Sequence, residues 1–271
     1  MSEAKKHPWV SSILVMLVLI GLVVSALVSS NSSPSHVLST GYGTTAGPLG
    51  SLPGVWRSAN WFLRNSLTAG GGDIAFGFGN ADDVPLMGDW NGDGTKTPGV
   101  FRNGFWFLRD SNTSGAAVHS FYYGSPGDIP FVGDWDGDGV DTPGVFRHGN
   151  WFLRNNNSGG VSNIDFYFGN QSGDVPVIGD WDGDKIDEVG VFRNANWFLR
   201  LTNTSGAADI AFYFGNPGDK PVAGDWDGDG DAGPGVFRSG NWFVKNDTSS
   251  GSAPAFYFGN PGDTPLVWRH A

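Results

Sequence analysis

A four-residue signature returns five times along this chain at nearly fixed distance. Gly54-Val55-Trp56-Arg57 recurs as Gly99-Val100-Phe101-Arg102, Gly144-Val145-Phe146-Arg147, Gly190-Val191-Phe192-Arg193 and Gly235-Val236-Phe237-Arg238, in steps of 45, 45, 46 and 45 residues. That period fits one four-stranded blade of a β-propeller. The forty-three glycines and the abundant aromatics suit short strands, tight turns and large rings in the core. No stretch after Val28 keeps a helical period over a useful length.

Within a unit the strands follow from local chemistry. Val-Phe-Arg runs through two residues (Asn103-Gly104, His148-Gly149 or Ser239-Gly240) into a Trp-Phe-Leu segment, the pattern of a two-residue hairpin. A Ser/Thr/Asn/Gly stretch follows, then an aromatic strand such as Asp165-Phe166-Tyr167-Phe168. A Pro-Gly-Asp type turn leads to a short apolar strand, as in Pro221-Val222-Ala223. The last unit supplies only this short strand, Thr264 to Trp268, and the first unit lacks it. The expected fold is therefore an all-β, five-bladed β-propeller whose C-terminal strand closes the first blade and removes exposed edges. An open stack would leave both ends unpaired.

Between that short strand and the next Gly-Val-Phe-Arg lies an acidic loop. Gly133-Asp134-Trp135-Asp136-Gly137-Asp138-Gly139 places carboxylates at alternate positions and a glycine at the sixth. Ca²⁺ takes six to eight oxygens, and this spacing lets three side chains converge while the glycine turns later carbonyls toward the same point. The expected metal ligands are Asp134, Asp136 and Asp138; Asp225, Asp227 and Asp229; Asp89, Asn91 and Asp93; and Asp180, Asp182 and Asp184 with Glu188. The Val140 carbonyl takes the seventh place in the second loop, with Thr142 or a water beyond. Asx-turns alone are the alternative, since Asp and Gly also stabilise tight loops without any ion.

The strand order sorts these loops onto faces. Cation loops share one face with the Ser/Thr/Asn loops. The opposite face carries Arg57, Arg102, Arg147, Arg193 and Arg238 beside the hairpins, and Asp83, Asp128, Asp174, Asp219 and Asp263 in the blade-to-blade turns. These ten residues form either a ring of ion pairs tying neighbouring blades or a polar platform for a ligand. Trp61, Trp106, Trp151, Trp197 and Trp242 repeat at one strand position, as core packing requires. A repeated sugar site, with indoles stacked on pyranose rings, is the other use of such a set.

The Gly-Asp-Trp-Asp-Gly-Asp-Gly loops followed by Gly-Val-Phe-Arg resemble the FG-GAP/VCBS-type repeats of bacterial surface propellers and, more distantly, the cation loops of integrin α-subunits. The resemblance covers Gly54 to the C-terminus. It implies an extracellular Ca²⁺-binding propeller used in recognition or adhesion. Two departures stand out: integrin propellers have seven blades, and the ninth-position acid is here Thr97, Thr142, Glu188 and Gly233, so only one loop keeps a carboxylate there.

The N-terminal segment sets the expected location. Lys5 and Lys6 precede an apolar run from Ile13 to Val28, expected as a hydrophobic helix over residues 1–30 that serves as signal-anchor or signal peptide. Residues 31–52 read as a flexible linker and 53–271 as the propeller of five repeats of about 45 residues. The expected protein is exported to the cell surface, anchored or secreted, with a protein or glycan ligand there. A net charge of −11 without a basic patch excludes nucleic acid. Glutamate occurs only at Glu3 and Glu188, and no nucleophile elbow, phosphate loop or histidine pair at metal spacing is present, so no enzyme is expected. A lectin-like propeller is the alternative function, and a polysaccharide-active enzyme a weaker one.

Overall fold

In the computed structural model each repeat pairs as four antiparallel strands, and the structure describes residues 50–169 and 173–270. The first repeat gives β1 (Leu52–Arg57), β2 (Asn60–Leu63) and β3 (Ile74–Gly77). The second blade is β4 (Val84–Gly88), β5 (Thr97–Arg102), β6 (Phe105–Leu108) and β7 (His119–Tyr122). The third is β8 (Ile129–Gly133), β9 (Thr142–Arg147), β10 (Asn150–Leu153) and β11 (Ile164–Tyr167). The fourth is β12 (Val175–Gly179), β13 (Glu188–Arg193), β14 (Asn196–Leu199) and β15 (Ile210–Tyr213). The fifth is β16 (Lys220–Gly224), β17 (Gly233–Arg238), β18 (Asn241–Val244) and β19 (Ala255–Tyr257).

The last strand, β20 (Thr264–Trp268), completes the first blade in the order β20-β1-β2-β3, with Leu52 opposite Trp268 and Gly54 opposite Leu266. Innermost strands touch their neighbours round the full circle, β20 to β4, β4 to β8, β8 to β12, β12 to β16 and β16 to β20. The described residues thus form an all-β, five-bladed β-propeller, closed as its repeats imply. The ladder begins at Leu52, one residue inside the stretch expected as linker, because Leu52 is buried and pairs with Trp268. The expected N-terminal helix and residues 31–49 of the expected linker lie outside the described residues.

The hairpins between second and third strands need positive φ at both central positions, the requirement of a type I′ turn. Asn103 and Gly104 adopt φ of 51° and 94°. Behind each hairpin sits the repeated tryptophan. Trp61, Trp106, Trp151, Trp197 and Trp242 are fully buried, stack on Phe76, Phe121, Phe166, Phe212 and Phe256, and donate Nε1–H to the carbonyls of residues 78, 123, 168, 214 and 258 at 2.8–3.0 Å. A buried indole must place its N–H, and here a backbone carbonyl always receives it. These rings are core, so they offer no sugar-stacking surface.

The Arg and Asp rings of the hairpin face are structural pairs. Arg57, Arg102, Arg147, Arg193 and Arg238 each bind one carboxylate through Nε and Nη2, on Asp263, Asp83, Asp128, Asp174 and Asp219, at 2.5–3.0 Å. The aspartate side chains are 1–2 % exposed and the arginines 30–44 %. That fork matches carboxylate geometry. The pairing differs from the expected one in a single respect. Each Asp stands just before the first strand of a blade and clasps the Arg ending the second strand of that same blade. The clamp therefore fixes a blade's entry turn on its own sheet and reaches its neighbour only through the turn.

Candidate metal centres

On the other face the four acidic loops share one internal scaffold. In the second, Asp134 Oδ1 accepts N–H bonds from Gly137 and Asp138, and Oδ2 accepts one from Gly139, at 2.8–3.1 Å. Asp138 Oδ1 accepts the Val140 N–H at 2.9 Å. Asp180 and Asp225 repeat the pattern with Gly183, Asp184 and Lys185 and with Gly228, Asp229 and Gly230. The Asx-turns expected of such loops are present. They do not preclude a cation, since each carboxylate oxygen carries two lone pairs and one can still face a metal.

Three loops bring three carboxylates together. One ligand oxygen from each of Asp134, Asp136 and Asp138 lies within 4.8 Å of the others, and the same holds for Asp225, Asp227 and Asp229. Oxygens around Ca²⁺ at 2.3–2.6 Å stand at most about 5 Å apart, so this spacing fits a common centre. The third loop differs from expectation: Asp180 and Asp182 group with Glu188, not with Asp184. Asp184 accepts the Ile186 N–H at 2.8 Å, as Asp138 accepts that of Val140, and Lys185 adopts a φ of 74° where the other loops have glycine. The first loop assembles no acidic triad, because Asn91 stands where the others have a third carboxylate, and its Nδ2 donates to Asp93 Oδ2 at 3.0 Å. That bond and the Thr95 N–H hold the Asp93 carboxyl below its ordinary range, the Thr95 contact being the larger cause.

Ninth positions are also settled by geometry. The Thr142 hydroxyl, expected as a possible ligand, donates to the Gly133 carbonyl, and that of Thr97 to Arg109 O. A Cβ at Gly233 would lie 1.9 Å from the Lys245 carbonyl oxygen, so only glycine fits there. Glu188 is buried and accepts the Trp181 N–H at 3.3 Å. Neighbouring loops add support from outside, since Asn155 Nδ2 donates to Asp136 Oδ2 at 2.8 Å and Asn246 Nδ2 to Asp227 Oδ2 at 2.5 Å. These two amides orient the third-place aspartates, as outer partners of metal ligands commonly do.

The electrostatics are those of carboxylates crowded without a counter-charge. Burial, and behind it the neighbouring aspartates, raises Asp134, Asp182, Asp225 and Asp227 above the ordinary carboxylate range. Burial pushes Glu188 up to about 8, helped by Asp182, Asp184 and Asp180 and opposed by the Trp181 N–H. A carboxyl raised on folding favours the fold below its unfolded pKa and loses that contribution as pH rises through the folded value. In chelator, Glu188→Gln is therefore expected to melt above the wild type at pH 8.5 and level with it near pH 4.5. With calcium present the advantage at pH 8.5 disappears, because the variant has one anionic ligand fewer. Thermal melts at the two pH values, with and without calcium, check this; a variant that melts lower than the wild type in chelator at pH 8.5 contradicts it.

Sequence reasoning missed the eighth loop position. There, Asp141 N–H bonds Asp89 O, Asp187 N–H bonds Asp134 O, Ala232 N–H bonds Asp180 O, Ser51 N–H bonds Asp225 O and Lys96 N–H bonds Arg269 O, at 2.5–2.8 Å. Each bond clasps one blade to the next, and Ser51 and Arg269 fill the places of a fifth loop divided between the two ends of the ring. The side chains at this position surround a cavity of about 500 Å³ in the centre of the ring, which Asp89, Asp134, Asp180 and Asp225 also line. Lys96 Nζ lies 2.7 Å from Asp141 Oδ2, and Asp187 Oδ2 accepts the Asp134 N–H. Burial draws the Lys96 ammonium down, but Asp141 and Asp187 outweigh it and hold it above its ordinary value. Variation among Lys, Asp, Asp and Ala at the eighth place, beside loops that agree in their first, second and fifth residues, was the available signal.

No family model matches the chain, and no curated protein matches it. Among solved structures it is similar to BBS1N in complex with ARL6DN, at 14 % identity and a TM-score of 0.41, covering 80 % of this chain and 68 % of that one. It is also similar to a lectin of Agrocybe aegerita, described as recognising non-reducing terminal N-acetylglucosamine, at 17 % identity and a TM-score of 0.44, covering 82 % and 71 %.

Proposed function

We propose that this chain is an exported, membrane-anchored, calcium-binding β-propeller of the FG-GAP/VCBS kind, acting as a non-catalytic recognition or adhesion module at the cell surface. The observation that carries the proposal is the gathering of three carboxylate triads at matching places on one face. Converging acids repel one another, and a hard divalent cation is the partner their oxygen-only chemistry suits. Asp134, Asp136 and Asp138, Asp225, Asp227 and Asp229, and Asp180, Asp182 and Glu188 would hold it, with Asp89, Asn91 and Asp93 a weaker fourth place. Bound calcium would supply positive charge that ties each loop to a single centre.

Export is supported by Lys5 and Lys6 ahead of the apolar run from Ile13 to Val28. A non-catalytic role is supported by where the polar residues are spent. The hairpin-face acids are paired with arginine, and Lys96, Asp141 and Asp187 are engaged with each other and with the clasps between blades. The ligand is a protein or a glycan, and the acidic surface argues against nucleic acid.

Calorimetric titration of the metal-free protein with CaCl₂ tests the metal assignment. Three equivalents or more are expected to bind, and Asp227→Ala is expected to remove one of them while the fold remains. Titrations without binding heat, or a stoichiometry unmoved by the variant, overturn it.

A further inference from the structure

The fivefold repeat is broken inside the central cavity. An aspartate follows the innermost strand in four blades, Asp89, Asp134, Asp180 and Asp225, but the first blade has Arg269 there. Round the ring the eighth-place residues run Ser51, Lys96, Asp141, Asp187 and Ala232, so basic, acidic and small side chains occupy different sectors. Packing alone would repeat one residue, as it does for the core tryptophans.

These residues stand over an apolar wall. The cavity of about 500 Å³ takes Met87, Val132, Ile178, Ala223 and Val267, one from each innermost strand. Small-molecule sites commonly enclose about 300–1,000 Å³, with apolar walls and a few polar groups that fix orientation. Part of the charge is already spent. Lys96 Nζ pairs with Asp141 at 2.7 Å, and the first-place aspartates cap their own loops. Arg269 and Asp187 are left over, since neither has an ion-pair partner among the described residues. Asp187 Oδ2 accepts the Asp134 N–H at 2.9 Å, and its Oδ1 accepts from no described group. Lys185 also lines the cavity, exposed and in no ion pair with the described residues. Lys96 is attracted by Asp141 and Asp187 and repelled by Arg269, so the four charges share one space. Between Arg269 and Asp187 stand the Lys96–Asp141 pair on one side and Ala223 and Ala232 of the fifth blade on the other.

We propose that the central cavity binds a small zwitterion, a free α-amino acid with an apolar side chain. Arg269 would take the carboxylate in its fork, Asp187 would take the ammonium, and Val132, Ile178 and their neighbours would cover the side chain. A plain cation would meet Lys96, Lys185 and Arg269, and a plain anion would meet Asp141 and Asp187. A ligand of one sign therefore loses at one side what it gains at the other. The site adds a small-molecule ligand to the proposed recognition role and does not depend on what the outer faces bind.

Calorimetric titration of the full chain in calcium tests it, with L-leucine, L-isoleucine, L-methionine and L-phenylalanine as probes. Each is paired with its deaminated and decarboxylated analogues, which for leucine are 4-methylpentanoate and 3-methylbutylamine. At least one amino acid is expected to bind, and both of its analogues to bind tenfold or more weakly. Arg269→Gln is expected to keep the wild-type Tm, to lose tenfold or more for the amino acid, and to bind the amine analogue as the wild type does. No binding of any of the four, an analogue as tight as its parent, or a variant of undiminished affinity overturns the site. A variant that melts lower shows the guanidinium spent on the fold and overturns it too. Calcium binding on the same sample separates the failures: calcium without amino acid sinks this cavity alone, whereas the loss of both sinks the wider reading.

Discussion

Cutting the chain after Asp263 is expected to abolish its cooperative fold. The cut removes β20, whose Leu266 and Trp268 are buried and whose backbone pairs with β1 from Leu52 to Trp56. Burial of a large apolar side chain contributes about 1.5–3 kcal/mol, and the indole also donates to Arg64 O at 3.1 Å. β20 further bridges β16 and β4, so its loss opens the ring as well as the sheet. The sum approaches the ~5–15 kcal/mol that keeps a typical domain folded. Circular-dichroism melts and gel filtration are expected to show an expanded or associating chain with no sharp transition. A peptide covering residues 260–271, added in excess, is expected to restore the transition. A truncated protein that melts within a few degrees of the intact one would mean that the ring does not depend on its closure.

Chelation has the next largest expected effect. Extracellular calcium sites commonly have dissociation constants near 10⁻⁴–10⁻³ M. At about 1 mM calcium the tighter end gives roughly 1.4 kcal/mol per site, or roughly 4 kcal/mol for three triads. A domain of this size moves by about 2–4 °C per kcal/mol, so EDTA is expected to lower Tm by roughly 8–16 °C. Magnesium, which demands tighter octahedral geometry, is expected to restore less of the loss than calcium. A melting curve indifferent to EDTA contradicts the assignment.

The architecture was legible because its signals are local and repeated. Gly-Val-Phe-Arg at a fixed step gives blade number, Asn103-Gly104 gives a hairpin, and a tryptophan at one strand position in every unit points first to core. Thr264 to Trp268 revealed the closure because it matched the strand that the first unit lacked. The features that escaped are those created by contact between distant segments. Arg57 meets Asp263 across 206 residues of sequence, and only the closing strand that follows Asp263 hints that the pair lies within one blade. Glu188 groups with Asp180 and Asp182 in place of Asp184, although Asp184 makes the same loop-backbone bond that Asp138 makes within its own triad. Gly233 is dictated by the Lys245 carbonyl, a neighbour that no spacing rule supplies. The clasp ring at Ser51, Lys96, Asp141, Asp187 and Ala232 had a sequence trace only in its irregularity. Regular positions declare the scaffold, and single departures such as Lys96 mark where one blade differs from the rest.

The most direct test of a propeller pinned by cations is a crystal grown in CaCl₂ with anomalous differences measured at long wavelength. A peak is expected inside each triad, with oxygens of Asp134, Asp136 and Asp138, of Asp180, Asp182 and Glu188, and of Asp225, Asp227 and Asp229 at about 2.3–2.6 Å from it. Five closed blades with no anomalous density at any of the three centres would contradict the account.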